Sequence, residues 1–195
     1  MKKIPTLFKR EFKDGQVIGI THEVYPGMEW VLKGKGKATE KWDGSCCAMI
    51  DGVFHKRFDA KPGRKIPDDA IPCCEPDPVT GHHPHWVPVD FISYADKWFV
   101  EAFNKYCKLR KCIPEDGTYE AIGKHFNGNP YGHSDDILIP HGLVTVSCGR
   151  SFDAIKTYLQ GNNVEGIVFW LDGEPKCKIK RKDFGFDWPI KPELF

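Results

Sequence analysis

Lys41-Trp42-Asp43-Gly44, set within Ala38-Thr39-Glu40-Lys41-Trp42-Asp43-Gly44-Ser45, is answered far downstream by Glu165-Gly166-Ile167-Val168 and Lys178-Ile179-Lys180. A lysine, then a carboxylate, then two further lysines is the order of groups needed to carry a nucleotide on an amine. A lysine that attacks the α-phosphorus of a nucleoside triphosphate must be neutral. Its ordinary pKa is about 10.4, so nearby positive charge or desolvation has to free the lone pair. Lys178, Lys180 and a metal ion are the candidates for that charge, and they would also neutralise the phosphate oxygens as charge develops. Carboxylates must hold the divalent cation, because magnesium takes hard oxygen ligands and keeps several waters; Glu165 and Glu120 are the natural suppliers. Gly44 lets the backbone turn tightly behind Lys41, where a β-carbon would meet the nucleotide. Lys-x-Asp-Gly alone is a weak signal, since Asp-Gly is a common surface turn; its weight comes from three elements in order on expected strands.

The elements that must position these residues can be read from local pattern. Gln16 to Val24 is a β-branched strand, and Met28 to Leu32 reads as a second. Behind Lys41, Cys46 to Ile50 and Val53 to Phe58 flank Asp51-Gly52, which is a hairpin signal. Arg57 lies on the return strand, expected within reach of the pocket of Lys41. Residues 61–84 are rich in Pro, Gly and His and read as a long loop closing at His85-Trp86-Val87-Pro88-Val89. Tyr94 to Leu109 spaces Trp98, Ala102, Phe103 and Tyr106 as a helix does, with Asp116-Gly117 breaking it. Thr118 to Ile122 is a strand carrying Glu120, followed by the turn-rich Asn127-Gly128-Asn129-Pro130-Tyr131-Gly132. Ile137 to Ile139 and Leu143 to Val146 read as strands around Pro140-His141-Gly142. Ser151 caps a helix running to about Leu159, favoured by Asp153 in its first turn and ended by Gly161. Val164 to Leu171 and Lys176 to Arg181 form a hairpin around Asp172-Gly173. The balance is a strand-rich α+β fold with its motifs on strands facing one groove, in a single domain over 1–195 with its core at about 16–190.

A chain of 195 residues is long enough to bury a core. A net charge of +1 does not mark a nucleic-acid binder, so any such surface has to be a local patch. Lysine and arginine do cluster, at Lys33, Lys35 and Lys37 before the motif and at Lys176, Lys178, Lys180, Arg181 and Lys182 after it; the first group reads as charges on a solvated strand edge. Eight cysteines without a signal peptide, a membrane-length apolar run or a regular spacing imply a reducing, cytoplasmic setting. Cys46-Cys47 and Cys73-Cys74 are adjacent pairs, and neighbours in a strand point to opposite faces. Cys73, Cys74, His82, His83 and His85 have no familiar zinc spacing, so that stretch reads as a loop with solvated or satisfied histidines. Trp86 and Trp188 read as core or loop anchors.

The succession Lys-x-Asp-Gly, Tyr119-Glu120-Ala121-Ile122-Gly123, Glu165-Gly166-Ile167-Val168 and Lys178-Ile179-Lys180 resembles the covalent nucleotidyltransferase superfamily of RNA ligases, DNA ligases and mRNA-capping guanylyltransferases. Within it, the chain is most similar to the animal-type ATP-dependent 5′-to-3′ RNA ligase family, also seen in some viruses. That resemblance rests on Lys41-Trp42-Asp43-Gly44-Ser45-Cys46-Cys47, Trp86-Val87-Pro88-Val89, Asn127-Gly128-Asn129-Pro130-Tyr131-Gly132, Ile139-Pro140-His141-Gly142 and Trp188-Pro189-Ile190. It runs from about Thr39 to Ile190. It implies a nucleotidyltransferase domain with antiparallel sheets flanking a nucleotide groove. It also implies that Lys41 becomes adenylylated and that Glu40 lies where the family frames the adenine. Arg57 falls near the ribose or the RNA end, Glu120 in the ribose or metal shell, Glu165 on the metal, and Lys178 on the α-phosphate. Lys180 joins them as a second lysine that is not uniform among relatives. The animal type carries extra segments, especially between the helix near Trp98 and Glu120, so the resemblance extends to the core and not to accessory RNA contacts.

The implied activity is an ATP-dependent RNA ligase using ATP and Mg2+ or Mn2+. It joins RNA 5′-phosphate and 3′-hydroxyl ends through lysyl-AMP and an adenylylated RNA end. RNA held by its phosphates would dissociate as salt rises. The alternatives are a GTP-dependent capping-type guanylyltransferase and a non-catalytic nucleotide- or RNA-binding protein. Capping enzymes and DNA ligases typically append an oligonucleotide-binding barrel, and the fifteen residues after Lys180 are too few for one.

Overall fold

Asp-Gly pairs punctuate the chain where the backbone must reverse. Asp51 and Gly52 (φ 50° and 72°), and Asp172 and Gly173 (φ 52° and 78°), take left-handed conformations that two-residue hairpins require. The computed structural model describes residues 3–60, 65–78 and 80–190. It is an α+β structure of mostly antiparallel sheets, and it divides into two units. One comprises Asp43–His141 with the first three residues of the chain; the other comprises Ile4–Trp42 and Gly142–Phe195.

The second unit carries strands β1 (Phe8–Lys13) and β2 (Gln16–Val24), which pair as a hairpin, and a single helical turn α1 (Glu29–Leu32). Its three-stranded sheet has β3 (Lys37–Lys41) at one side, with the later hairpin strands of the chain beside it. The residues from Met28 to Leu32, expected as a strand, are this helical turn instead. A turn at Tyr25-Pro26-Gly27 feeds them, Val31 N–H donates to Met28 O at 3.0 Å, and Val31 is the residue buried. Helix spacing rather than alternation therefore brings Met28 and Val31 to the core.

The first unit holds β4 (Ser45–Ile50), β5 (Val53–Ala60), β6 (Ile71–Pro72), β7 (His83–Pro88), helix α2 (Lys97–Arg110), β8 (Gly117–Ile122) and β9 (Ile137–Pro140). These strands form one antiparallel sheet in the order β6-β7-β5-β4-β8-β9. Helix α2 packs on β8 and β9 through Ala102, Phe99 and Phe103, over a core of Cys47, Met49, Phe54, Tyr119 and Leu138. It ends earlier than Asp116-Gly117. Lys111 adopts φ 57° and gives its N–H to Cys107 O, closing the helix one turn beyond its apolar stripe. The stretch expected as a loop over 61–84 contains β6 and the start of β7; residues 61–64 and 79 of it lie outside the described residues.

The chain then returns to the second unit as helix α3 (Phe152–Gly161), β10 (Gly166–Leu171) and β11 (Glu174–Lys180). Ser151 caps α3 by accepting from Ala154 N–H at 3.2 Å, as its sequence indicates. The sheet order is β11-β10-β3, and Pro5 to Leu7 run along the far side of β11 through bonds to both polar groups of Lys178. Residues Leu143 to Val146 are an extended segment rather than a strand. They meet β3 through one bridge, Thr39 to Thr145, and through Glu40 N–H to Val144 O and Val146 N–H to Ala38 O, both at 2.9 Å. Ile155 and Leu159 of α3 close over Ala38, Ile167, Phe169, Cys177 and Ile179 on one face of the sheet. That leaves the other face for polar chemistry.

All eight cysteines are free thiols. Among the described residues no helix is long and apolar enough to cross a membrane. Trp86 and Trp188 are buried, as expected of anchors.

Candidate lysine-centred active site

Register decides which side chains share the polar face of the β11-β10-β3 sheet. Lys41 pairs with Gly166 and Gly166 with Lys180, while Thr39 pairs with Val168 and Val168 with Lys178. Side chains alternate along each strand, so Lys41, Lys178 and Lys180 fall on one face. Gly166 is required between them: a β-carbon there would lie 2.2 Å from Ile179 O. Its absence lets β11 approach β10 closely.

Glu165, at the entrance to β10, completes the cluster. Its side chain is 5% exposed and splits its two oxygens, Oε2 to Lys41 Nζ at 2.5 Å and Oε1 to Lys180 Nζ at 2.6 Å. Lys41 Nζ also donates to Trp42 O at 3.3 Å. Burial, followed by repulsion from Lys41 and Lys180, pushes Lys178 down to about 8. Lys180 is further fixed through its backbone, which donates to Asp183 Oδ2 at 2.8 Å, while Arg10 reaches Asp183 Oδ1 at 3.2 Å. One carboxylate among three lysines leaves a local excess of positive charge, which suits a polyphosphate.

Glu40 stands elsewhere. It pairs with Ile167 on the alternate register, so its side chain lies on the face opposite Lys41, at the edge of the core. Desolvation raises its carboxyl to about 7, and its charge in turn contributes to raising Tyr158 on α3.

The remaining predicted residues belong to the other unit. Glu120, on β8, accepts from Gly44 N–H at 3.0 Å through Oε1 and meets His141 Nε2 at 2.9 Å through Oε2. Arg57, on β5, pairs through Nε with Asp59 at 2.9 Å. The glycine of Lys-x-Asp-Gly is needed for a reason other than a tight turn: a β-carbon on Gly44 would lie 2.1 Å from Ala121 O. The Asn127–Gly132 turn, with Asn127 and Asn129 at φ 47° and 55°, reaches back to the same motif. Tyr131 Oη accepts from Asp43 N–H at 2.7 Å, and Asn127 Nδ2 donates to Asp43 Oδ1 at 2.6 Å. Neither these contacts nor those of His141 follow from local sequence pattern, although both segments stand out as motifs. Only the register of β8 with β9, which pairs Glu120 with Ile139, could have pointed to His141.

Three lysines around one carboxylate are able to attract phosphate groups and to present an amine to them. A family model described as RNA ligase 1 matches residues 109–195, which include Glu120, Glu165, Lys178 and Lys180 but not Lys41. The chain is similar to RNA ligase 1 of Danio rerio, 30% identical over 139 residues, covering 56% of this chain and 43% of that protein. It is also similar to RNA ligase 1 of Pongo abelii, 28% identical over a 224-residue alignment covering 78% of this chain and 68% of that protein. RNA ligase 1 of Rattus norvegicus is 26% identical, with the same two shares. The chain thus spans less than half of the Danio rerio protein and about two thirds of the mammalian ones. Alignments longer than the chain itself mean that these mammalian relatives carry segments absent here. The matches support an RNA ligase family assignment for this chain.

Proposed function

We propose that the chain is an ATP-dependent RNA ligase built on a nucleotidyltransferase domain, with Lys41 as the nucleophile. The observation that carries this is the cluster on β3, β10 and β11: Lys41 Nζ held 2.5 Å from Glu165, with Lys180 on the other oxygen and Lys178 beside them. In the first transfer Lys41 Nζ forms a bond to the α-phosphorus of ATP as the bond to the bridging oxygen breaks. Pyrophosphate leaves, and the amine proton passes to Glu165 Oε2 or solvent. Lys178 and Lys180 stabilise charge on the phosphate oxygens. In the second, the 5′-phosphate of RNA takes the adenylyl group and Lys41 recovers its proton. In the third, an RNA 3′-hydroxyl attacks that phosphate and AMP departs. Dividing the joining this way replaces one difficult step by easier in-line displacements.

Glu165 fits a divalent cation, Mg2+ or Mn2+, because it offers hard oxygens to an ion that keeps most of its water and takes few protein ligands. Such a cation would neutralise phosphate charge when bound. Lys41 and Lys180, which now share the carboxylate, would then be released toward the phosphates. In this proposal Glu40 frames the adenine through its backbone, since its side chain faces away from Lys41. Glu120 and Arg57 take the nucleotide and RNA-end roles that the resemblance implies.

Intact mass after incubation with magnesium and ATP or GTP tests the first step. A gain of one AMP with ATP alone, absent in Lys41→Ala, is expected. A gain of GMP would move the assignment to capping chemistry, and no gain in a folded protein would leave a nucleotide- or RNA-binding role.

A further inference from the structure

Three potential metal ligands of different softness converge on one face of the β5-β4-β8-β9 sheet. Cys46 pairs directly with Glu120 across β4 and β8, and His141 follows β9, whose Ile139 pairs with Glu120. The Cys46 thiol, a Glu120 carboxylate oxygen and a His141 ring nitrogen lie within 4.8 Å of one another, and all three residues are half-buried. We propose that Cys46, Glu120 and His141 form a binding site for a borderline-soft divalent cation such as Zn2+.

The arrangement is held by its surroundings. His141 Nδ1 meets Thr118 Oγ1 at 2.9 Å, and its backbone N–H donates to Thr118 O at 3.0 Å, which orients the ring with Nε2 toward Glu120. An imidazole fixed through its other nitrogen is the usual condition for a histidine ligand. Glu120 keeps Gly44 N–H on Oε1 and has Oε2 directed at His141 Nε2, 2.9 Å away. That short contact needs a proton between two basic atoms; a cation can take its place. The donors would then be one sulfur, one nitrogen and one oxygen, with a position open to water. This set favours zinc or cobalt over magnesium, which prefers oxygen alone. Thiolate and carboxylate together match the cation's two charges, and Arg57, whose charge also reaches the Cys46 thiol, is paired with Asp59.

The site requires no turnover, and although it shares Glu120 with the ligase proposal it does not rest on it. Only its consequence rests on that proposal: a cation on Glu120 Oε2 would compete with the nucleotide role given to Glu120.

The test is titration of the purified chain with Co2+ and Zn2+ alone, comparing wild type, Cys46→Ser, His141→Gln and Cys74→Ser, with far-ultraviolet circular dichroism to confirm folding. Wild type and Cys74→Ser are expected to show sulfur-to-cobalt charge-transfer absorption that saturates at one equivalent and is displaced by Zn2+. Cys46→Ser should lose that absorption, and both it and His141→Gln should bind Zn2+ at least about tenfold more weakly. Absorption persisting in folded Cys46→Ser, Zn2+ affinity unchanged in folded His141→Gln, or no cobalt absorption in wild type would each overturn the assignment. Should Cys46→Ser misfold, protection of Cys46 from alkylation by stoichiometric Zn2+, read by peptide mass, replaces it; unprotected Cys46 refutes the site.

Discussion

Lys41 and Glu165 form a charge pair at 2.5 Å in which the carboxylate, 5% exposed, also holds Lys180. Removing that carboxylate leaves two ammonium groups facing one another without a counter-charge. Glu165→Gln is therefore expected to lose about 1–2 kcal/mol of folding stability, below the usual value for a fully buried pair because both lysines keep some solvent. The proposed lysyl-AMP formation should fall at least about a hundredfold. Urea midpoints and intact mass measure the two effects separately. Unchanged labelling would remove Glu165 from the site.

Lys178 gives the cluster its pH dependence. Burial, with repulsion from Lys41 and Lys180, lowers it from its ordinary value to about 8. The folded protein therefore holds fewer protons than the unfolded chain between about pH 8 and pH 10.5, so this group adds stability as pH rises through that window. Lys178→Met should raise stability at pH 7 by of order 1–3 kcal/mol, with the gain shrinking above pH 8. Its charge is nevertheless what the α-phosphate would meet. Label formation should decline as pH rises through about 8, and Lys178→Arg, which stays charged, should move that limb upward. A pH profile with the same alkaline limb in both proteins would exclude Lys178 as its source.

The sign reverses for Glu40. Desolvation raises its carboxyl from an ordinary value of 4.5 to about 7, so the folded state holds more protons in that interval and stability falls as pH rises through it. Glu40→Gln should then be more stable than wild type at pH 8 by about 1 kcal/mol, a figure discounted for partial solvent access. The two should converge near pH 4. Thermal melting of both proteins across pH 4 to 8 checks this, and parallel curves would mean that Glu40 is solvated.

Elements whose determinants are local could be read from the sequence. Gln16–Val24, the Asp51-Gly52 and Asp172-Gly173 hairpins, helix α2 and the Ser151 cap all depend on residues within a few positions of one another. Lys41, Glu165, Lys178 and Lys180 could be grouped because each marks a short motif, and the register then brings them together. What could not be read depends on pairing between distant segments. The face taken by Glu40 follows from Glu40 opposing Ile167, and the hold of Tyr131 and Asn127 on Asp43 spans more than eighty residues. Met28 to Leu32 is ambiguous for another reason: five residues with four apolar positions fit a strand or a helical turn equally well, and burial at Val31 decides between them.

Tyr131 and Asn127 offer a local test of that long-range contact. Tyr131→Phe removes the acceptor 2.7 Å from Asp43 N–H, and Asn127→Ala removes the donor to its carboxylate. Each is expected to cost about 1 kcal/mol. Hydrogen exchange at the Asp43 amide should quicken in Tyr131→Phe while amides of β10 keep their protection. Equal quickening throughout would indicate global loss of stability rather than release of this turn.

Gly166 ties the position of Glu165 to the sheet. A methyl group there would sit 2.2 Å from Ile179 O, a backbone atom that no rotamer change can move. Gly166→Ala must push β11 from β10, with an expected loss of about 1–3 kcal/mol. The displacement falls on the pair that places Lys180 opposite Gly166, so labelling of Lys41 should fall beyond what lost stability explains. Gly161, in the last turn of α3, provides the contrast because a β-carbon there meets nothing within 4 Å. Gly161→Ala should stabilise by up to about 1 kcal/mol and leave labelling unchanged. Urea midpoints for the two variants should therefore move in opposite directions. A Gly166→Ala protein as stable and as readily labelled as wild type would show that close approach of β11 does not position the lysines.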